Sequence, residues 1–285
     1  MTPEPRAIDC LQLGQPRAIA CWQIGDVLVD PGPESCLKNV LEALDGVEPR
    51  AVLLTHIHLD HAGAAGTLAR MYPNLQVYVH ERGAPHMLDP TKLLASATRI
   101  YGEYMDLLWG KFEAVPADQL HVLSGGESLA FDGAGSYDVF YTPGHAVHHV
   151  TFLLDDGTAF VGDVAGSRPF DGGLVTPTTP PPDIDLPAWH ESISLLRELA
   201  PQRLAYTHWG AASDVDHHLD ELEAVLARWA QLARDLDVDS WFLQVRADLI
   251  GAGAQEEQLE IYQPQPTAQA NYAGLRRYWD KRQAG

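Results

Sequence analysis

The stretch Ala51-Val52-Leu53-Leu54-Thr55-His56-Ile57-His58-Leu59-Asp60-His61 decides how this chain is read. Its first four residues are a short continuous apolar run, the pattern of a strand buried on both faces, which needs a covering layer on each side of its sheet. The run ends directly in three histidines and an aspartate. Residues two apart in an extended segment point the same way, so His56 and His58 can grip one ion. Asp60 and His61, where the chain turns towards a helix, can reach a second. Imidazole with carboxylate suits zinc, iron or manganese, and the lack of cysteine in the cluster argues against a closed structural zinc site.

Upstream, residues 18–24 alternate, turn at Gly25-Asp26 and return through Val27-Leu28-Val29, a hairpin that leads into Asp30. Residues 34–44 carry Leu37, Val40, Leu41 and Leu44 at helical spacing, 63–71 read as another helix and 75–79 as a strand. Residues 83–115 form a helical insertion with scattered aromatics (Tyr101, Tyr104, Trp109, Phe112), read equally as packing residues or as a lid over a substrate. Strands return from 120 to 163, including 138–141 and a pair at 150–154 and 158–161 joined by Asp155-Asp156-Gly157. A stiff proline-rich loop at 176–183 precedes a helix that Asp185 caps. A strand at 204–206, an amphipathic helix at 214–236 and a terminal helix at 272–282 complete the pattern. The expected organisation is a catalytic domain over 1–240, with 83–115 as its insertion, and a C-terminal helical extension over 241–285 packed on it.

The sequence resembles the metallo-β-lactamase superfamily, whose His-x-His-x-Asp-His signature stands here as His56, His58, Asp60 and His61. The rest of the pattern follows in order over residues from about 17 to 210: Thr142-Pro143-Gly144-His145, then Val161-Gly162-Asp163, then Tyr206-Thr207-His208. The resemblance implies an α/β fold, the αββα sandwich. It implies that His56, His58 and His145 bind one metal, that Asp60, His61 and His208 bind another, and that Asp163 bridges them. Asp30 matches an aspartate that supports the metal loops. His148 and His149 follow the third ligand, and at least one should lie against the site. Arg168, in a glycine-rich loop after Asp163, is read either as a substrate-anion contact or as a surface ion pair. His80, His86, His217 and His218 are read as structural, the last two on a solvated helix face.

The chain has 285 residues, with 19 Lys and Arg against 39 Asp and Glu, for a formal charge of −20. That charge opposes nucleic acids, anionic membranes and strongly anionic substrates. At this length the fold should bury roughly three quarters of its unfolded surface, so a metal is needed for chemistry rather than compactness. The first ten residues lack a secretory pattern, no apolar run reaches bilayer length, and Cys10, Cys21 and Cys36 show no Cys-x-x-Cys spacing. They are read as free thiols in a cytoplasmic protein.

Within the superfamily, the commonest zinc β-lactamases place a cysteine where this chain has Asp163. The flavin-linked di-iron members have glutamate at the position of His58, and the nucleases need a basic surface. The homoserine lactonases carry a tyrosine where this chain has Gly166. What the resemblance implies is a hydrolase of a small ester, thioester or lactone with two divalent ions, zinc first and Mn2+ or Fe2+ as alternatives. The ions would share a water and turn it into a hydroxide nucleophile at neutral pH, oriented by Asp60 as catalytic residue. The alternatives are a mononuclear iron oxygenase of the persulfide dioxygenase type and a small-molecule phosphodiesterase. The expected partner is a small-molecule substrate, with neither nucleic acid nor membrane, and a homodimer is left open.

Overall fold

Alternation along the strands sends side chains to three separate apolar layers, and those layers define the architecture. The structure is a computed structural model that describes residues 2–259 and 267–283; residues 260–266, 284 and 285 of the expected extension lie outside it. The first sheet has the order β1 (Arg6–Asp9), β2 (Ala20–Ile24), β3 (Val27–Val29), β4 (Ala51–Leu53), β5 (Gln76–His80), β6 (Leu120–Leu123). The second contains β7 (Ser128–Phe131), β8 (Gly135–Tyr141), β9 (Val150–Leu154), β10 (Thr158–Gly162), β11 (Arg203–Tyr206) and β12 (Gly210–Ala212), in the order β12-β11-β10-β9-β8-β7. Strands β3 to β6 run parallel, as do β10 and β11; the other pairs are antiparallel.

On β4, Ala51 and Leu53 face the second sheet while Val52 faces outward, and on β10 Phe160 faces the first sheet while Ala159 and Val161 face away. The inter-sheet layer is filled by Trp22, Val29, Tyr137, Val139, Phe152 and their neighbours. Outside the first sheet pack α1 (Leu37–Leu44), α2 (Leu59–Ala62), α3 (Ala65–Met71) and the insertion, which is built from α4 (Ala84–Leu88), α5 (Thr91–Tyr101) and α6 (Met105–Trp109). Outside the second sheet lie α7 (Leu186–Leu199), α8 (Val215–Asp235), α9 (Val238–Gly251) and α10 (Thr267–Gln283). This is the expected αββα sandwich with its helical insertion. Asp185 caps α7 as the sequence predicts, accepting from Ala188 N–H at 3.3 Å.

The C-terminal part is richer than its sequence reading. Helix α9 was not anticipated, although Trp241, Val245 and Leu249 recur four apart and are buried against α8 and α10. Helix α10 is already helical at Thr267, five residues before Tyr272. Among the described residues, no helix is long and apolar enough to cross a membrane.

Candidate functional site

Strands β4, β10 and β11 end at one edge of the sandwich, and each delivers polar side chains just past its last paired residue. From β4 come Thr55, His56, His58, Asp60 and His61, from β10 Asp163, and from β11 Thr207 and His208, while the β8–β9 loop supplies His145. The two sheets are tied together here, since Val150 N–H donates to Thr55 O at 2.8 Å and Ala20 N–H to Thr207 O at 2.8 Å. Gly162 permits the approach: at φ +44° it occupies a conformation that L side chains avoid, and a Cβ there would lie 2.4 Å from Thr55 Oγ1.

Two groups of side chains converge within metal-binding distance, His56 with His58 and His145, and Asp60 with His61 and His208. In the first, His58 Nδ1 lies 3.1 Å from His56 Nε2 and 2.9 Å from His145 Nε2. Asp163 sits between the groups, with Oδ1 3.3 Å from His61 Nε2 and 3.4 Å from His208 Nε2, and Oδ2 3.5 Å from His145 Nε2. A third grouping, Asp30 with His56 and His61, is equally close. Asp30 is already committed, however: it accepts from Thr55 N–H, Thr55 Oγ1, His61 Nδ1 and Thr207 Oγ1 at 2.6 to 3.0 Å. It ties together two of the ligand-bearing segments, the one after β4 and the one after β11.

The outer ring nitrogens are tied down one by one. His56 Nδ1 faces Thr55 Oγ1 at 3.1 Å, His61 Nδ1 faces Asp30, His145 Nδ1 donates to Thr178 O at 2.7 Å and His208 Nδ1 to Ala18 O at 2.8 Å. A neutral imidazole that donates from Nδ1 presents a bare lone pair at Nε2; here the Nε2 atoms of His56 and His145 converge on His58 Nδ1 and those of His61 and His208 on Asp163 Oδ1. His61 Nε2, His208 Nε2 and Asp163 Oδ1 are buried without a hydrogen-bond partner. Orphaned buried acceptors that converge on one another, each backed by an outer hydrogen bond, are what divalent cations require of their ligands. The donor set therefore fits metal ions.

The electrostatics agree. Burial, reinforced by neighbouring imidazoles, holds His56 well below the ordinary histidine range, and burial pushes His145 down to about 4. Burial acts the same way on His61 and His208, but the Asp163 and Asp60 carboxylates outweigh it and raise both. Desolvation opposes ionisation of Asp60, yet His61 and His208 pull it to about 2, and the same imidazoles with His145 keep Asp163 ionised. The second group thus demands positive charge, which protons or a metal can supply.

Of the flanking histidines, His148 lies on the wall of the cleft, its ring perpendicular to that of His58 at 5.6 Å, while His149 lies beneath His56 with Nδ1 3.0 Å from Thr142 Oγ1. Of the two readings of Arg168, the structure shows the ion pair: its guanidinium pairs with Asp214 at 3.1 Å and lines neither cavity beside the site. Its backbone N–H instead holds His208 O at 2.6 Å. His80 is structural, buried and stacked on Tyr141, whereas His86 reaches the cavity wall. The sequence reading did not single out Thr55 and Thr207, each directly before a ligand-type histidine, nor the Thr178 carbonyl.

His218 also departs from expectation. His217 is exposed, but His218 is fully buried, with Nε2 2.8 Å from Ala165 O in the turn that follows Asp163. Burial pushes its pKa down to about 4. The folded state thus keeps it neutral, and stability is lost as pH falls from the unfolded value near 6.5 towards 4, by about 3 kcal/mol in all. Denaturant unfolding near neutrality and at about pH 4.5 should show wild type losing more stability than His218→Gln, by about 2 kcal/mol or more; equal losses would count against it.

The metallo-β-lactamase superfamily profile matches residues 19–209. A metallo-β-lactamase fold-containing protein of Sulfurisphaera tokodaii is 31% identical over 203 residues, covering 69% of this chain and 74% of that one. The crystal structure of an archaeal superfamily protein, from Sulfolobus tokodaii, superimposes with a TM-score of 0.71 at 26% identity, covering 96% and 98% of the two chains. Hydroxyacylglutathione hydrolase of Xylella fastidiosa is 34% identical over 138 residues, but the match spans 48% of this chain and only 40% of that enzyme. A further protein, solved in a di-iron-bound form, superimposes with a TM-score of 0.51 at 26% identity over 74% of this chain and 92% of its own. With two sheets meeting at one edge, two convergent ligand groups there and a profile that spans both, this chain belongs to the metallo-β-lactamase superfamily.

Proposed function

We propose that the protein is a binuclear metal-dependent hydrolase of a small ester, thioester or lactone. The observation that carries this reading is the convergence of His61 Nε2, His208 Nε2 and Asp163 Oδ1, buried without hydrogen-bond partners, beside the group His56, His58 and His145. His56, His58 and His145 would hold one divalent ion, and Asp60, His61 and His208 the other, with Asp163 between. Such ions supply an acidified water at neutral pH and polarise the scissile oxygen. Zinc suits this nitrogen and carboxylate set, and the di-iron relative makes iron the main competitor. The partial likeness to hydroxyacylglutathione hydrolase supports the thioester among the three substrate types.

Asp60 borders both cavities beside the site, so its carboxylate is within reach of a substrate. Held ionised, it accepts a hydrogen bond from the attacking water and orients it. The larger cavity, about 430 Å³, has an apolar wall that includes Ile57, Leu93, Ile100 and Trp109 and admits only a small substrate body. Arg82 from the turn after β5, with Lys92 and Arg99 on one face of α5, adds positive charge, and Asp183 stands among the lining residues. Among the described residues none of the three cations has a carboxylate within 4.0 Å. The overall acidity disfavours anions at large, but unneutralised cations in the cavity favour a substrate with a carboxylate distant from its scissile bond.

The test is a panel of esters, thioesters and lactones, each as a pair with and without a remote carboxylate, assayed with and without added metal. Metal-dependent turnover on none of them would overturn the hydrolase reading. For an active pair, the Lys92→Gln, Arg99→Gln double variant should raise KM for the anionic member about tenfold and leave the neutral member unchanged. An equal change for both would remove the anionic preference while leaving the hydrolase in place.

A further inference from the structure

Helix α10 lies beyond the residues that the superfamily profile matches, yet it reaches the site. It packs against the 176–183 loop so closely that a Cβ at Gly274 would stand 2.0 Å from Thr179 O. One turn earlier, Asn271 grips the same loop twice: its Oδ1 accepts from Thr179 N–H at 2.8 Å, and its backbone O accepts from Thr179 Oγ1 at 3.0 Å. Lys281 Nζ adds a contact to Pro182 O at 3.2 Å. Thr179 and Asn271 are both buried, so water is poorly placed to replace these bonds.

The N–H of Thr179 and the C=O of Thr178 belong to one peptide unit. That unit is trans, and resonance keeps it planar, so its two polar groups point in opposite directions and fixing one fixes the other. Asn271 holds the N–H edge, and His145 Nδ1 donates to the C=O edge at 2.7 Å. Rotating this unit would withdraw the acceptor that keeps the His145 proton on Nδ1, and with it the bare Nε2 that faces His58.

We propose that Asn271 is a positioning residue for His145: through the Thr178–Thr179 peptide, α10 fixes the ring orientation and tautomer that leave His145 Nε2 free to bind metal. Asn271 also borders both cavities beside the site, and its hold on His145 runs through this peptide. Each hydrogen bond in the line also polarises the next.

The direct test reads the His145 ring nitrogens by 15N NMR in metal-free, full-length protein. Wild type is expected to carry its proton on Nδ1, and Asn271→Ala to show loss of that form and appearance of the Nε2-protonated one. Asn271→Asp, which keeps the acceptor oxygen, should retain the wild-type tautomer. Tyr272→Phe removes a different α10 anchor, the 2.9 Å bond to Leu236 O, and should leave His145 unchanged. If Asn271→Ala does not fold, Gly274→Ala, which pushes the helix off the loop, should produce the same tautomer change. An unchanged His145 in the folded Asn271→Ala or Gly274→Ala variant, or an equal change in Tyr272→Phe, would overturn the proposal.

A second readout rests on the metal-dependent reading given above. Zinc titration of Asn271→Ala should weaken one of the two sites about 10- to 100-fold and spare the other. Equal weakening of both would argue for a general structural effect and against the proposal. A tautomer change in a protein that binds no zinc at wild type would refute the metal reading alone.

Discussion

Asp163→Asn is expected to abolish turnover, by on the order of a thousandfold or more, while leaving the fold intact. The substitution keeps the size of the side chain and removes its charge at the one point within 3.5 Å of His61, His145 and His208. An amide would put N–H donors, or at best a neutral oxygen, where two groups of ligand-type nitrogens need an anion between them. His58→Ala should have the same consequence, since His58 Nδ1 is the point on which His56 Nε2 and His145 Nε2 converge. Circular dichroism and denaturant midpoints of both variants should stay close to wild type. Full turnover by metal-depleted variants would contradict the assignment.

Asp30→Ala should act mainly on stability. It removes one buried carboxylate that accepts four hydrogen bonds, from Thr55 twice and from His61 and Thr207, so the loop after β4 and the end of β11 lose a shared anchor. Stranding buried donors in this way costs about 3–5 kcal/mol. Asp30 also sits at φ 49°, where Asn is tolerated better than Ala, so Asp30→Asn should recover part of the loss. Denaturant unfolding measures both, and a loss under about 1 kcal/mol for the alanine variant would show that Asp30 is not the anchor described here.

How far the site was legible follows from its geometry. His56, His58, Asp60, His61, Asp163 and His208 each stand one to eight positions past a strand's last residue, so a reading of strand ends leads to them, and Thr-Pro-Gly marks the loop that carries His145. A threonine precedes both His56 and His208 in the sequence, but nothing local marks either one as a donor to Asp30. Nothing local announces Asn271, whose partner Thr179 lies 92 residues away and whose effect passes through a backbone peptide. His217 and His218 look alike in sequence, and only the phase of α8 against the turn after Asp163 separates the exposed ring from the buried one. Helix α9 escaped because Leu243 and Ile250 are apolar yet exposed, at 64% and 48%, which blurs the period set by Trp241, Val245 and Leu249. Arg168 follows Asp163 closely enough to suggest substrate, but Asp214, just before α8, captures it.

The central claim, that two ion sites share Asp163, is tested most directly by elemental metal content per chain in protein purified without chelator or added metal. The account predicts about two divalent ions in wild type and about one or fewer in Asp163→Asn. A single ion in wild type, unaffected by the substitution, or no bound metal in either protein, would contradict it.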